Sequence, residues 1–102
     1  MRLKPLRDQV LVVTGATSGN GLAIAEEATR RGAAVLLVAR NEAALADAQK
    51  RLAAGGARVA VLAADVAEEA ASERIVAAAL EAFGGFDSWI NNAGVGTYGT
   101  LE

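Results

Sequence analysis

The chain has 102 residues, 53% of them apolar, and a net charge of -2: one domain's worth of core-forming sequence, rich in alanine, with no basic footprint for nucleic acid. Cysteine and histidine are absent, which excludes a disulfide framework, a thiolate nucleophile, a histidine-based triad and the usual zinc sites, so no metal is expected. The basic start Met1-Arg2-Leu3-Lys4 precedes no signal-peptide core and no apolar run approaches the roughly 18 residues of a membrane span, so a cytoplasmic protein without membrane contact is expected.

The first predicted strand covers residues 10–14 and runs into Thr14-Gly15-Ala16-Thr17-Ser18-Gly19-Asn20-Gly21. A strand, a glycine turn and a helix N-terminus in succession suit a phosphate. Missing Cβ atoms let backbone approach an anion, and the helix supplies free N–H donors at its positive end. Glycine turns also occur in plain strand-to-helix connections. The helix is predicted over 20–31, where Arg30-Arg31 and then Gly32 give a cation-then-glycine stop.

A second strand is predicted over 34–39, followed by a helix that starts after Asn41, a candidate N-cap, and runs to Lys50-Arg51 before Gly55-Gly56. A third strand covers 58–63, a third helix 69–83 up to Gly84-Gly85, and a fourth strand 87–91. This alternation argues for a parallel sheet with right-handed crossovers.

Two motifs carry a family resemblance. The spacing from Thr14 to Gly21 resembles the Thr-Gly-x-x-x-Gly-x-Gly motif of the short-chain dehydrogenase/reductase family, and Asn91-Asn92-Ala93-Gly94 resembles that family's Asn-Asn-Ala-Gly motif after the fourth strand. An asparagine-rich turn is the plainer reading of the second, but its register with the glycine motif favours the family. The resemblance implies a partial Rossmann-type, doubly wound α/β sheet of four strands in order 3-2-1-4 with three helices, and a nicotinamide dinucleotide partner. It implies cofactor contacts from Thr14, Gly15, Thr17, Ser18, Gly19, Asn20, Gly21, Asp65, Val66, Asn91, Ala93 and Gly94. Asp65 and Val66 would form the adenine rim, though an aspartate after a strand is equally a turn or cap residue. The first asparagine, Asn91, would tie the central strands. Asn20 departs from the family, which has an apolar residue there.

A dinucleotide fold places an acid for the ribose 2′-hydroxyl about 20 residues past the glycine turn. Here Ala39-Arg40 stands in its place. A guanidinium there can bond a 2′-phosphate, which favours NADP(H) and leaves NAD(H) open; a solvated strand-end arginine is the alternative. The family's proton-transfer pair is a tyrosine with a lysine four residues later, aided by a serine. Four positions after Tyr98, the sole tyrosine, stands Glu102; the lysines are Lys4 and Lys50, and Ser88 falls within a strand. No catalytic residue is therefore assigned. Residues 1–102 are expected to form an incomplete NAD(P)-binding domain, inactive alone, that self-associates or takes a completing chain over its open sheet edge. A non-catalytic nucleotide-binding or interaction module, or a truncated gene product, are the alternatives.

Overall fold

The computed structural model describes residues 5–92, in which strands and helices alternate. After a 3-10 turn at Leu6–Asp8 come β1 (Val10–Thr14), α1 (Gly19–Arg30), β2 (Ala34–Ala39), α2 (Glu42–Ala53), β3 (Val59–Ala63), α3 (Ala71–Phe83) and β4 (Ser88–Asn91). Each strand pair is parallel and the order is β3-β2-β1-β4. The chain is thus an α/β, Rossmann-type sheet in the order read from the sequence. Because β2 and β3 extend the sheet on one side of β1 and β4 on the other, right-handed crossovers put α1 and α2 on one face and α3 on the opposite face.

Local chemistry explains the helix boundaries. The Asn41 side chain accepts from the Ala44 N–H at 3.0 Å and starts α2. The third helix starts at Ala71, later than expected, because Glu68 N–H donates to Asp65 O at 2.9 Å and Ala71 N–H to Glu68 O at 3.1 Å, using the intervening residues in turns. It ends at Gly84, whose φ of 81° only glycine adopts cheaply, with the Gly84 N–H donating to Leu80 O at 2.9 Å.

Alternation along the strands divides the core. Leu11, Val13, Val35 and Leu37 meet Ala25, Ala28, Leu45 and Leu52 of the first two helices, while Val12, Leu36 and Val38 meet Ile75 and Ala79 of α3. β2 is buried along its whole length, as expected of a central parallel strand covered on both faces. The buried residues of α1 are Gly21, Ala25 and Ala28, small groups that each add little buried area. Val76 and Leu80 on the outer side of α3, and Phe86 beyond it, remain exposed.

The two edges of the sheet differ. Val35 N–H donates to Arg58 O, so alternation points the backbone groups of Val59, Val61 and Ala63 outward. Gln49 Nε2 donates to Val59 O at 2.9 Å and Arg74 Nη2 to Ala63 O at 3.2 Å, so side chains from both faces occupy two of the three outer carbonyls of β3. On the other side, Asp87 N–H donates to Val10 O and Val10 N–H to Asp87 Oδ2, each at 2.8 Å, which pins the start of β4 to β1. Ser88 and Ile90 then face away from β1, and among the described residues no strand pairs there.

On α1, Arg31 and then Arg30 hold the Glu27 carboxyl below the usual carboxylate range by hydrogen bonding. A lowered folded pKa gives stabilisation that is present above the unfolded value and lost as pH falls through the folded one. Partial exposure and solvent screening keep that contribution small.

The core and the outer stripe should respond differently to truncation. Leu37 is 0% exposed and Leu80 is 56% exposed. Leu37→Ala should cost about 2–5 kcal/mol by urea unfolding, whereas Leu80→Ala should stay within about 0.5 kcal/mol. Equal costs would contradict this division of the core.

Candidate functional site

The chain reverses its direction of winding between β1 and β4, and the C-terminal ends of these strands meet at the glycine turn. In open α/β sheets ligands bind at such a switch point. Side-chain hydroxyl and amide groups fasten the junction. Thr14 Oγ1 donates to Asn91 Oδ1 at 2.7 Å and accepts from the Asn92 N–H at 3.1 Å. Asn92 Nδ2 donates to Gly15 O at 3.2 Å and to Ser18 Oγ at 3.3 Å. Thr14 is 0% exposed, and its hydroxyl is satisfied only because β4 arrives with these partners.

The motif's glycines have separate tasks. A Cβ on Gly15, where φ is +61°, would lie 1.9 Å from Asn92 O, and one on Gly21 would lie 2.2 Å from Gly15 O. Both are needed by the protein's own packing. A Cβ on Gly19 would meet nothing within 4 Å among the described residues. Of these three glycines, Gly19 alone opens onto space that a ligand can use.

That space adjoins helix donors left without a cap. Ser18 is the N-cap of α1 but makes no side-chain cap hydrogen bond; its hydroxyl donates back to Gly15 O at 2.9 Å. The contrast with Asn41, which caps α2, is direct. First-turn N–H groups of α1 therefore face the opening with the positive end of the helix dipole behind them, an arrangement suited to an anion.

A cleft of about 390 Å³ extends from this turn across the ends of β2 and β3, lined by Gly15, Thr17, Ser18, Arg40, Asp65 and Val66 among others. Arg30, Arg31 and Arg51 are paired with Glu27 or Glu26, whereas Arg40 has no ion-pair partner among the described residues. Asp65 Oδ1 accepts from the Ala67 N–H at 2.9 Å, so the turn role that its sequence position allowed is realised while the residue also lines the cleft. A larger groove of about 680 Å³ follows the outer flank of α1. Its walls are mainly apolar, Leu6, Ile24 and Ala28 among them, and it does not include Arg40 or Asp65. The uncapped donors and free cation make the smaller cleft the better anion site.

Asn20 lies within α1 and faces the larger groove rather than the smaller cleft; the N-cap position of the helix is Ser18, two residues earlier. Ala93, Gly94 and Tyr98 lie outside the described residues. Asn92 is absent from the sequence-derived contact set, yet it joins the glycine turn to β4. Its place in the Asn-Asn-Ala-Gly motif was a signal, but nothing in the motif says which asparagine reaches the turn.

The division among the glycines is testable without ligand. Gly15→Ala and Gly21→Ala should each lower stability by the about 1–3 kcal/mol typical of overpacking, with added backbone strain at Gly15. Gly19→Ala should leave it unchanged or slightly higher. Urea midpoints check this, and a destabilised Gly19→Ala protein would refute it.

The short chain dehydrogenase family model matches residues 9–102. An uncharacterized oxidoreductase of Bacillus subtilis, YxnA, is 46% identical over 99 residues, covering 97% of this chain and 28% of the relative. The crystal structure of L-sorbose reductase from Gluconobacter frateurii, complexed with NADPH and L-sorbose, superposes with a TM-score of 0.83 at 41% identity, covering 91% of this chain and 36% of that one. A short chain dehydrogenase/reductase from Burkholderia phymatum in complex with NAD gives a TM-score of 0.81 at 37% identity, covering 85% of this chain and 31% of that one. The chain thus spans about a third of the length of these proteins or less. With the family model matching nearly the whole sequence and the glycine turn meeting Asn91 and Asn92 at the switch point, the chain belongs to the short-chain dehydrogenase family.

Proposed function

We propose that residues 1–102 are the NADP(H)-binding portion of a short-chain dehydrogenase/reductase, an incomplete domain whose catalytic residues lie elsewhere. The uncapped start of α1, where Thr17 and Ser18 line the cleft, is the observation that carries this reading. The pyrophosphate would take the first-turn N–H groups of α1, and the adenine would lie toward Asp65 and Val66. Thr14 and Asn91 hold the strands beneath, the remaining cofactor contacts would come from Thr17, Ser18, Ala93 and Gly94, and Asn20 would reach the cofactor from the side of the larger groove.

Arg40 supports NADP(H) over NAD(H). It lines the cleft without a carboxylate partner among the described residues, so its charge is available to a 2′-phosphate. Relatives with NADPH and with NAD are both known, so the family alone does not choose between the cofactors. By calorimetry NADPH should bind about tenfold to a hundredfold more tightly than NADH, the size of one charge-assisted hydrogen bond, and Arg40→Ala should erase most of the gap. Equal dissociation constants for the two cofactors would sink the preference.

The family reaction would move a hydride between the nicotinamide and a carbonyl or alcohol carbon. Proton transfer to the developing alkoxide needs a positioned acid, and the sequence contains no Tyr-x-x-x-Lys. The outward edge of β4 and the exposed Val76, Leu80 and Phe86 fit a completing chain or a second copy as partner. A cytoplasmic setting suits a cysteine-free nucleotide-binding chain, and no helix among the described residues is long and apolar enough to cross a membrane. The 102-residue chain should bind NADPH yet show no reduction across a panel of aldehydes and ketones. Turnover that is abolished by Tyr98→Phe would overturn the non-catalytic assignment.

A further inference from the structure

Asn92 lies at the rim of the cleft, but its hydrogen bonds point into the protein. Its backbone N–H is anchored on Thr14 Oγ1 at 3.1 Å. Its amide nitrogen reaches Gly15 O at 3.2 Å and Ser18 Oγ at 3.3 Å, while Ser18 Oγ itself donates to Gly15 O at 2.9 Å. Gly15 O can only accept, so the Asn92 side chain must present its nitrogen there. The Ser18 backbone N–H also donates to Gly15 O at 3.2 Å, so this carbonyl gathers three donors, one of them from Asn92. Ser18 Oγ, accepting from Asn92 and donating to Gly15, is held away from the N–H groups that an N-cap serine ordinarily satisfies.

We propose that Asn92 is a positioning residue that prevents α1 from being capped by its own Ser18 and so keeps the helix's first N–H groups available to a phosphate. The proposal rests on the nucleotide-binding reading of this cleft but concerns a different link, the partition of Ser18 between Gly15 and the helix. Without the Asn92 amide, the Ser18 hydroxyl turns to the Gly21 N–H and competes with the ligand for the same donors. The Gly15 carbonyl also loses a donor beside the anion site. The space for this arrangement exists because positions 15 and 21 carry no Cβ: one at Gly21 would lie 2.7 Å from Asn92 Nδ2.

Asn92→Asp makes the effect switchable by pH. An ionised carboxyl cannot donate to Gly15 O, whereas a protonated one can. With NADP+ as the probe, the variant-to-wild-type ratio of dissociation constants should be tenfold or more at about pH 7 and fall toward one as pH approaches the ordinary aspartate value of about 4. Asn92→Ala should show a raised ratio that does not recover. A ratio for Asn92→Asp that stays constant with pH would mark a merely structural residue and overturn the proposal.

A ligand-free measurement decides the same point. In Asn92→Ala the Gly21 amide should exchange its hydrogen several-fold more slowly than in wild type, and Ser18→Ala in that background should restore fast exchange. Unchanged or faster exchange in Asn92→Ala overturns the proposal. Ser18→Ala alone, which needs no change at Asn92, should leave the urea midpoint nearly where it was, unlike Asn41→Ala; a drop matching Asn41→Ala would show that Ser18 is a working cap and also overturn it. Wild type that binds no NADP+ refutes the nucleotide reading, leaving exchange and the Ser18 variant to decide this one.

Discussion

The close approach of β4's end to the glycine turn is the constraint on which the rest of the structure depends. Gly15 and Asn92 meet so tightly that a single Cβ would overlap a backbone oxygen at 1.9 Å. Moving them apart would strand the buried Thr14 hydroxyl, whose partners Asn91 and Asn92 both come from the far end of the chain. It would also release the start of α1, because Gly21 packs on the Gly15 carbonyl. Strand pairing, helix placement and the shape of the cleft therefore share one contact, formed mostly of atoms that every residue carries.

The two helices on one face show how the same backbone problem receives different solutions. Each begins with N–H groups that have no partner within the helix. In α2 the Asn41 side chain supplies one, and the helix start is closed. In α1 the equivalent hydroxyl is engaged elsewhere, and the start stays open on the side where β1, β2 and β3 end. Leaving a helix uncapped costs about 0.5–2 kcal/mol, an amount a bound anion can return. The helix interiors are ordinary and alanine-rich; the difference between a closed and an open start lies in a few hydrogen bonds at their first turns.

Much of this was legible in the sequence. Apolar runs such as Val10–Thr14 and Ala34–Ala39 marked strands, and Gly84 and Asn41 marked helix boundaries, because these depend on local periodicity and backbone freedom. The strand order came from the spacing of the two motifs and their resemblance to a family, rather than from any local preference. The separate tasks of Gly15, Gly19 and Gly21 were not legible, since each glycine looks alike until the group facing it is known. Asn92 was missed for the same reason: its partners lie 74 to 78 residues away. The delayed start of α3 was hidden because the turns after Asp65 compete with a helix through bonds that propensity does not count.

The 77-residue separation between Thr14 and Asn91 also bears on the order in which the molecule acquires its properties. Pairing β1 with β2 and β2 with β3 closes comparatively short loops, each bridged by one helix. Joining β4 to β1 closes a loop that contains all three helices, and such non-local contacts form late because chain entropy must be lost before they reward it. A chain that had paired its first three strands would already hold Arg40 and Asp65 near one another, yet its glycine turn would still lack the partner that shapes it. The nucleotide-binding competence proposed above is therefore expected to arise at the last step of folding and to be the first property lost when β4 detaches, well before the helices melt.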